Sequence, residues 1–412
     1  MNRRRKLILG ASLVALVAAL YLGQAFVQST GAAQSVEIPQ FQVDPFWPKP
    51  LPNQWVLGST IGVWVDDEDL IWIVHRPETL ADNEASLDMD EPTSQECCRR
   101  APPVIAFDRE GNVVHAWGYP AGYEGEGFTW PSSNHGIFVD HLGYVWIGGN
   151  GAGDSHVLKF TKDGQFIAQF GEPNARAAGT NPAGQPTYER NSHDPTSFGR
   201  VAKLFVDEET NEVYLADGYF NIRVAVIDGE TGEMQRYWGA YGNEPDDDYQ
   251  HGPRGADQPP SQQFRGPVHC ADVSVDRLVY VCDRQSNRLQ VFQTDGTFVR
   301  EAFYAPESLG EGSTWDVAFS RDPEQRYIFL ADGRNQRVRI IERETLEELG
   351  TFGRGGRYPG HWFSLHSIAT DSEGNIYTTE TYQGKRIQKF VNMGMGPAAQ
   401  HDLGAPYPAD RQ

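Results

Sequence analysis

Positive charge is what this sequence has least of: 35 Lys and Arg stand against 56 Asp and Glu in 412 residues, a net charge of −21. No basic surface is left over to displace counterions from a phosphate backbone, so a nucleic acid is excluded as the main partner. A polybasic footprint on an anionic membrane is excluded for the same reason. Long apolar runs are scarce too. The exception is residues 7–27, which follow the basic cluster Arg3-Arg4-Arg5-Lys6 and precede the small residues Gly31-Ala32-Ala33. Residues 1–33 therefore read as a signal peptide or, because the run is long, as an uncleaved membrane anchor. Arg4-Arg5 is a weak twin-arginine match. In either case the body, residues 34–392, is expected to be exported, periplasmic or secreted, with a C-terminal tail over 393–412. The membrane is then reached only through the N-terminal segment.

Methionine (5) and cysteine (4) are also few. Cys270 and Cys282 are symmetric about Asp276, where a hairpin turn fits, so they face each other as a disulfide or as buried thiols. Cys97-Cys98 lacks the partner spacing of a metal site and reads as a loop staple or inert thiols. What the chain does have is aromatic residues (12%), 43 Gly and 26 Pro. Aromatics between frequent turns favour strands over bundled helices.

A repeat runs through the body. Each copy has a strand ending in Val-Asp or similar, a turn, an apolar-aromatic strand, a polar turn, a third strand and an outer strand. The second strands fall at 70–74, 144–147, 212–215, 278–281, 327–330 and 375–378; the third at 104–107, 157–160, 224–227, 289–292, 338–341 and 387–390. Six copies of four strands predict an all-β fold, a six-bladed β-propeller. The sixth copy has no good fourth strand of its own. Residues 36–46 (Val36, Ile38, Phe41, Val43) are strand-like and are expected to supply it, closing the ring and removing an exposed edge. Insertions at 78–102, 172–197 and 243–264 interrupt the ring and are where lids and pockets are expected. Asp246-Asp247-Asp248 lacks the alternating spacing of a Ca²⁺ loop and reads as solvated surface.

Three histidines share one repeat position. His135, His269 and His366 each lie 11 residues before the aromatic of their second strand, Trp146, Tyr280 and Tyr377. The same slot holds Ile61 in the first copy and lies near Ala202 and Asp316 in the third and fifth. Alternate blades of a six-fold ring are about 120° apart, so three imidazoles at the start of the innermost strands converge on the axis. Three His with an open fourth position suit Zn²⁺ or another divalent transition metal. A lone His is usually a satisfied core residue, but three on alternate blades are not explained that way. His75, His251 and His361 are expected near the same face.

The ends of the second strands add Arg76, Tyr219 and Arg284 around this point. Two guanidiniums suit a carboxylate, and a tyrosine beside a metal and an arginine can act as a base. The alternative is that both arginines are rim charges paired with Asp283 or nearby acids.

The turns Asp217…Asn221-Ile222-Arg223, Asp283…Asn287-Arg288 and Asp332…Asn335-Gln336-Arg337 resemble NHL repeats. Arg223, Arg288, Arg337 and Arg386 are read as structural within the blades. Asn134-His135-Gly136, Pro267-Val268-His269, Leu365-His366-Ser367, the segment from Asp217 to Arg223, Val74-His75-Arg76 and Asp283-Arg284 together resemble the peptidyl-α-hydroxyglycine α-amidating lyase family over most of 50–392. The resemblance implies a Zn²⁺ on His135, His269 and His366, a catalytic Tyr219, and Arg76 and Arg284 holding a substrate carboxylate. It implies cleavage of a carbinolamide in a small molecule or peptide to an amide and glyoxylate. The family has Asp after its third His, helping to hold a structural Ca²⁺, and Cys beside its Tyr; here these are Ser367 and Phe220. Two other readings stand beside it. Propeller lactonases and esterases use acidic and Asn ligands at the axis, and many NHL propellers are binding scaffolds without chemistry.

Overall fold

A computed structural model describes residues 37–398. The segment read as a signal or anchor, residues 1–33, and most of the expected tail lie outside the described residues. Among the described residues no helix is long and apolar enough to cross a membrane.

Six four-stranded antiparallel sheets form the ring. The innermost strands are Ser59–Val65, Asn134–Val139, Val201–Val206, Val268–Val273, Asp316–Phe319 and Leu365–Thr370. Each packs beside the next, and the sixth packs beside the first. The second and third strands fall where the repeat places them, extended by one or two residues at most ends. The sixth blade takes its outer strand from Glu37–Asp44, which pairs antiparallel with Arg386–Pro397. That last strand runs past residue 392 to Pro397.

The repeat's Asp has a local cause. Asp66 and Asp140 each cap the turn after an innermost strand, accepting from backbone N–H groups two and four residues on. The other carboxylate oxygen accepts from the indole of Trp72 or Trp146 on the second strand. Asp371 does the same with the Tyr377 hydroxyl. One residue thus fixes the hairpin and orients the aromatic that fills the junction to the next blade.

The core is divided rather than single. One apolar cluster fills each junction between neighbouring blades. Between the sixth and first blades, Trp47 wedges against Phe107 and Tyr377, with ring centroids 5.5 and 4.9 Å away. Between the fifth and sixth, Phe41 of the closing strand meets Phe329 and Phe352. Each such side chain contributes about 1.5–3 kcal/mol when fully buried.

Several blade-structural residues behave as expected. Arg223 pairs with Asp217, Arg288 with Asp283 and Arg386 with Glu380, and each ties its blade to carbonyls of the preceding loop. In the fifth blade it is Arg339 that bridges Asp332, a pairing the repeat did not indicate. Cys270 is bonded to Cys282 across the two strands, and Cys97 to Cys98. Asp247 caps Ser192, through its N–H and its hydroxyl, rather than standing in a cation loop.

Candidate metal centre

The innermost strands are not regular where the histidines sit. Pairing with the second strand slips between Asn134 and Ile137, between Val268 and Ala271, and between Leu365 and Ile368. A bulge re-aims the side chain it carries. Here it turns His135, His269 and His366 to the axis, where their ligand nitrogens lie within 4.8 Å of one another. All three rings are buried.

The intervening blades set the tautomer. His135 Nδ1 donates to Ala202 O at 2.6 Å, His269 Nδ1 to Trp315 O at 2.5 Å and His366 Nδ1 to Ile61 O at 2.7 Å. Each histidine is therefore fixed by a carbonyl of the following blade, with its Nε2 lone pair facing the axis. Burial is the main cause that keeps the rings neutral: with the nearby Arg284 and Arg76 it pushes His366 down to about 3, and burial holds His135 and His269 well below the ordinary histidine value.

Three neutral nitrogens that must all accept need a donor. The Tyr219 hydroxyl lies 2.9 Å from His135 Nε2 and 3.1 Å from His269 Nε2 but has one proton to give. His366 Nε2 has no hydrogen-bond partner among the described residues. Such a set of convergent lone pairs fits a divalent transition metal.

The expected neighbours are present. Arg284 Nη1 donates to the Tyr219 oxygen at 3.1 Å, Nη2 reaches Glu311 at 2.5 Å, and the guanidinium stacks on Trp315. Arg76 is held by Asn134 O at 2.9 Å and Asn150 Oδ1 at 2.7 Å, with no carboxylate partner among the described residues. Burial lowers its pKa from the usual arginine value. Asp283 is occupied by Arg288, so neither arginine is the Asp283 rim pair considered from sequence, although Arg284 does pair with Glu311.

Not every expected histidine belongs here. His75 is fully enclosed, and both its ring nitrogens are committed to backbone: Nδ1 accepts from Gly58 N and Nε2 donates to Pro102 O. It shapes the strand end that carries Arg76, with neither ring nitrogen left for the three axial histidines. His251 bonds Ser261, and His361 sits half-buried on a two-residue strand.

Sequence reasoning missed Trp315, Asn150, Glu311 and Tyr382. Tyr382 is half-exposed, and Tyr219, Arg284, Arg76 and Glu311 all lie within electrostatic reach of its hydroxyl. Its signal was in the repeat: Glu380-Thr381-Tyr382 occupies the place of Asp217-Gly218-Tyr219.

By shape, its neighbours include lyases. A streptogramin B lyase structure is 12% identical, covers 85% of this chain and 98% of its own, and has a TM-score of 0.48. Virginiamycin B lyase from Staphylococcus aureus is 12% identical with 86% and 99% coverage and a TM-score of 0.46. A Bacteroides thetaiotaomicron protein of unknown function is 12% identical with 87% and 76% coverage and a TM-score of 0.47. No protein-family model matches the sequence, and no curated protein does.

Proposed function

We propose that the chain is an exported, metal-dependent lyase that cleaves the C–N bond of a carboxylate-bearing carbinolamide, an N-acyl-α-hydroxyglycine, to an amide and glyoxylate. The observation that carries the reading is the convergence of three Nε2 lone pairs with one tyrosine hydroxyl and Arg284, with Arg76 beside them.

His135, His269 and His366 would hold the metal. When bound, it supplies Lewis acidity to a substrate oxygen. Tyr219 is the proton carrier: its oxygen sits at the ligand nitrogens and receives the Arg284 N–H. It takes the proton of the carbinol hydroxyl. The electron pair of that O–H becomes the second C–O bond of glyoxylate as the C–N bond breaks, and the amide nitrogen leaves with the pair of the broken bond. The proton returned from Tyr219 completes the amide, so atoms and charge balance. Arg76, fixed through Nε and one Nη, keeps its other Nη for the substrate carboxylate, and Arg284 offsets negative charge that develops on the reacting oxygen.

The hydrolase reading finds no support at the axis, because the carboxylates there, Asp272 and Asp316, are engaged by Lys203. The test is glyoxylate release from N-benzoyl-α-hydroxyglycine by protein reconstituted with Zn²⁺, beside a His135→Ala/His269→Ala variant. Metal-dependent release lost in the variant supports the reading. Wild-type protein that takes up no metal, or a loaded protein that leaves the substrate intact, overturns it.

A further inference from the structure

Directly behind the three histidines lies a second polar group: Lys203 and Asp316 come from two other innermost strands, and Asp272 from the strand that carries His269. Lys203 Nζ is 2.6 Å from Asp316 Oδ1, 2.9 Å from Asp272 Oδ1 and 3.4 Å from Val317 O. Asp316 Oδ2 accepts from the Ser367 hydroxyl at 2.6 Å and from Ile368 N at 3.1 Å. Lys203, Asp272 and Asp316 are all buried. Ser367 stands where the resemblance expects an Asp that helps to hold Ca²⁺.

The residues present do not fit that ion. Ca²⁺ is held by oxygen ligands, and here the two carboxylates and the carbonyl are already engaged by the Lys203 ammonium, with the Ser367 hydroxyl committed to Asp316. Cys270 lies close enough to Asp272 and Asp316 to complete a ligand set, but its sulfur is bonded to Cys282. An ammonium has three N–H groups, and three acceptors surround it. The hydrogen bonds of the site are thus complete with lysine in place. Burial pulls the Lys203 pKa down, but Asp272 and Asp316 outweigh it and hold the amine protonated.

We infer that Lys203 is a resident cation: its ammonium takes the place of a divalent ion behind the three-histidine centre, and this position binds no metal. The two carboxylates and the ammonium sum to a single negative charge. Lys203→Met raises that to two and leaves both carboxylates buried and unpaired. Lys203→Met/Asp272→Asn restores the original charge with no cation at all.

The experiment compares Tm and Ca²⁺ content of the full chain and both variants in metal-depleted buffer and in millimolar Ca²⁺, with the histidine site kept loaded with Zn²⁺. The wild type is expected to carry no Ca²⁺ after gel filtration and to show the same Tm in both buffers. Lys203→Met is expected to melt about 5–10 °C lower without Ca²⁺, to bind one Ca²⁺ per chain and to recover most of that loss. The double variant is expected to melt near the wild type and to ignore Ca²⁺. The inference falls if the wild type retains Ca²⁺ in stoichiometric amount, or if Lys203→Met folds by circular dichroism yet ignores Ca²⁺. If Lys203→Met does not fold, the double variant decides: a folded, Ca²⁺-indifferent protein supports charge balance, and one as damaged as the single variant refutes it.

Discussion

Trp47→Ala tests the seam on which both ring and site depend. Trp47 is 6% exposed and fills the junction between the sixth and first blades, touching Phe107 on one side and Tyr377 on the other. Truncating a buried aromatic to Ala costs about 3–5 kcal/mol through lost burial and the cavity left behind. Two aromatic pairs add about 0.5–1.5 kcal/mol each, so a loss of about 4–8 kcal/mol is expected. Among the described residues the indole N–H has no hydrogen-bond partner. Trp47→Phe therefore forfeits no hydrogen bond and should cost only about 1–2 kcal/mol. The contact from His366 Nδ1 to Ile61 O crosses the same seam, so Trp47→Ala should also lower metal retention on dialysis. Guanidinium unfolding curves give the stability and elemental analysis the metal. Leu142→Ala, at a 59% exposed turn, is the control and should stay within about 0.5 kcal/mol. A loss for Trp47→Ala below about 1 kcal/mol, or no larger than the control's, would refute the view that this wedge closes the ring.

Three further outcomes are expected. Tyr219→Phe should keep its metal and lose about 10²–10⁴-fold in glyoxylate release; a variant that turns over normally removes Tyr219 from the chemistry. Arg76→Lys should raise KM for a carboxylate-bearing carbinolamide by about tenfold or more and leave its amide analogue unaffected, which a comparison of the two substrates reads directly. His75 is pushed down to about 4 by burial, so between its unfolded value near 6.5 and about 4 the unfolded chain holds the extra proton and stability falls as pH drops. Across that window the loss is about 3 kcal/mol. His75→Gln should flatten the stability profile between pH 7 and 4 by that amount, as denaturation at several pH values will show.

The ring was legible because its cause is local and recurs: an Asp that caps a turn and accepts from an aromatic six residues on leaves the same mark in the first, second and sixth copies, and strands at matched spacing carry the pattern through the other three. The histidines were legible because the ring converts a shared repeat position on alternate copies into a shared point in space. Other parts left no such mark. The carbonyls of Ile61, Ala202 and Trp315 are invisible in a sequence, since every residue has one. Lys203, Asp272 and Asp316 come from three blades at unrelated spacings, and only the closed ring makes them neighbours. His75 misled for the opposite reason: it lies one residue from Arg76, and strand alternation turns it to the other side. Tyr382 followed the repeat and was overlooked because blade six, with its borrowed outer strand, departs from the pattern around it.

The alternation of histidine and carbonyl makes the repeating unit of the centre a pair of blades, one bearing the histidine and the next bearing the oxygen that aims it. Rotating the ring by two blades lays every histidine on a histidine. Rotating it by one lays every histidine on an aiming oxygen. A rearranged chain that starts two blades later in the same circle keeps the centre intact, whereas one that gains or loses a single blade breaks the three-fold set even if the ring still closes.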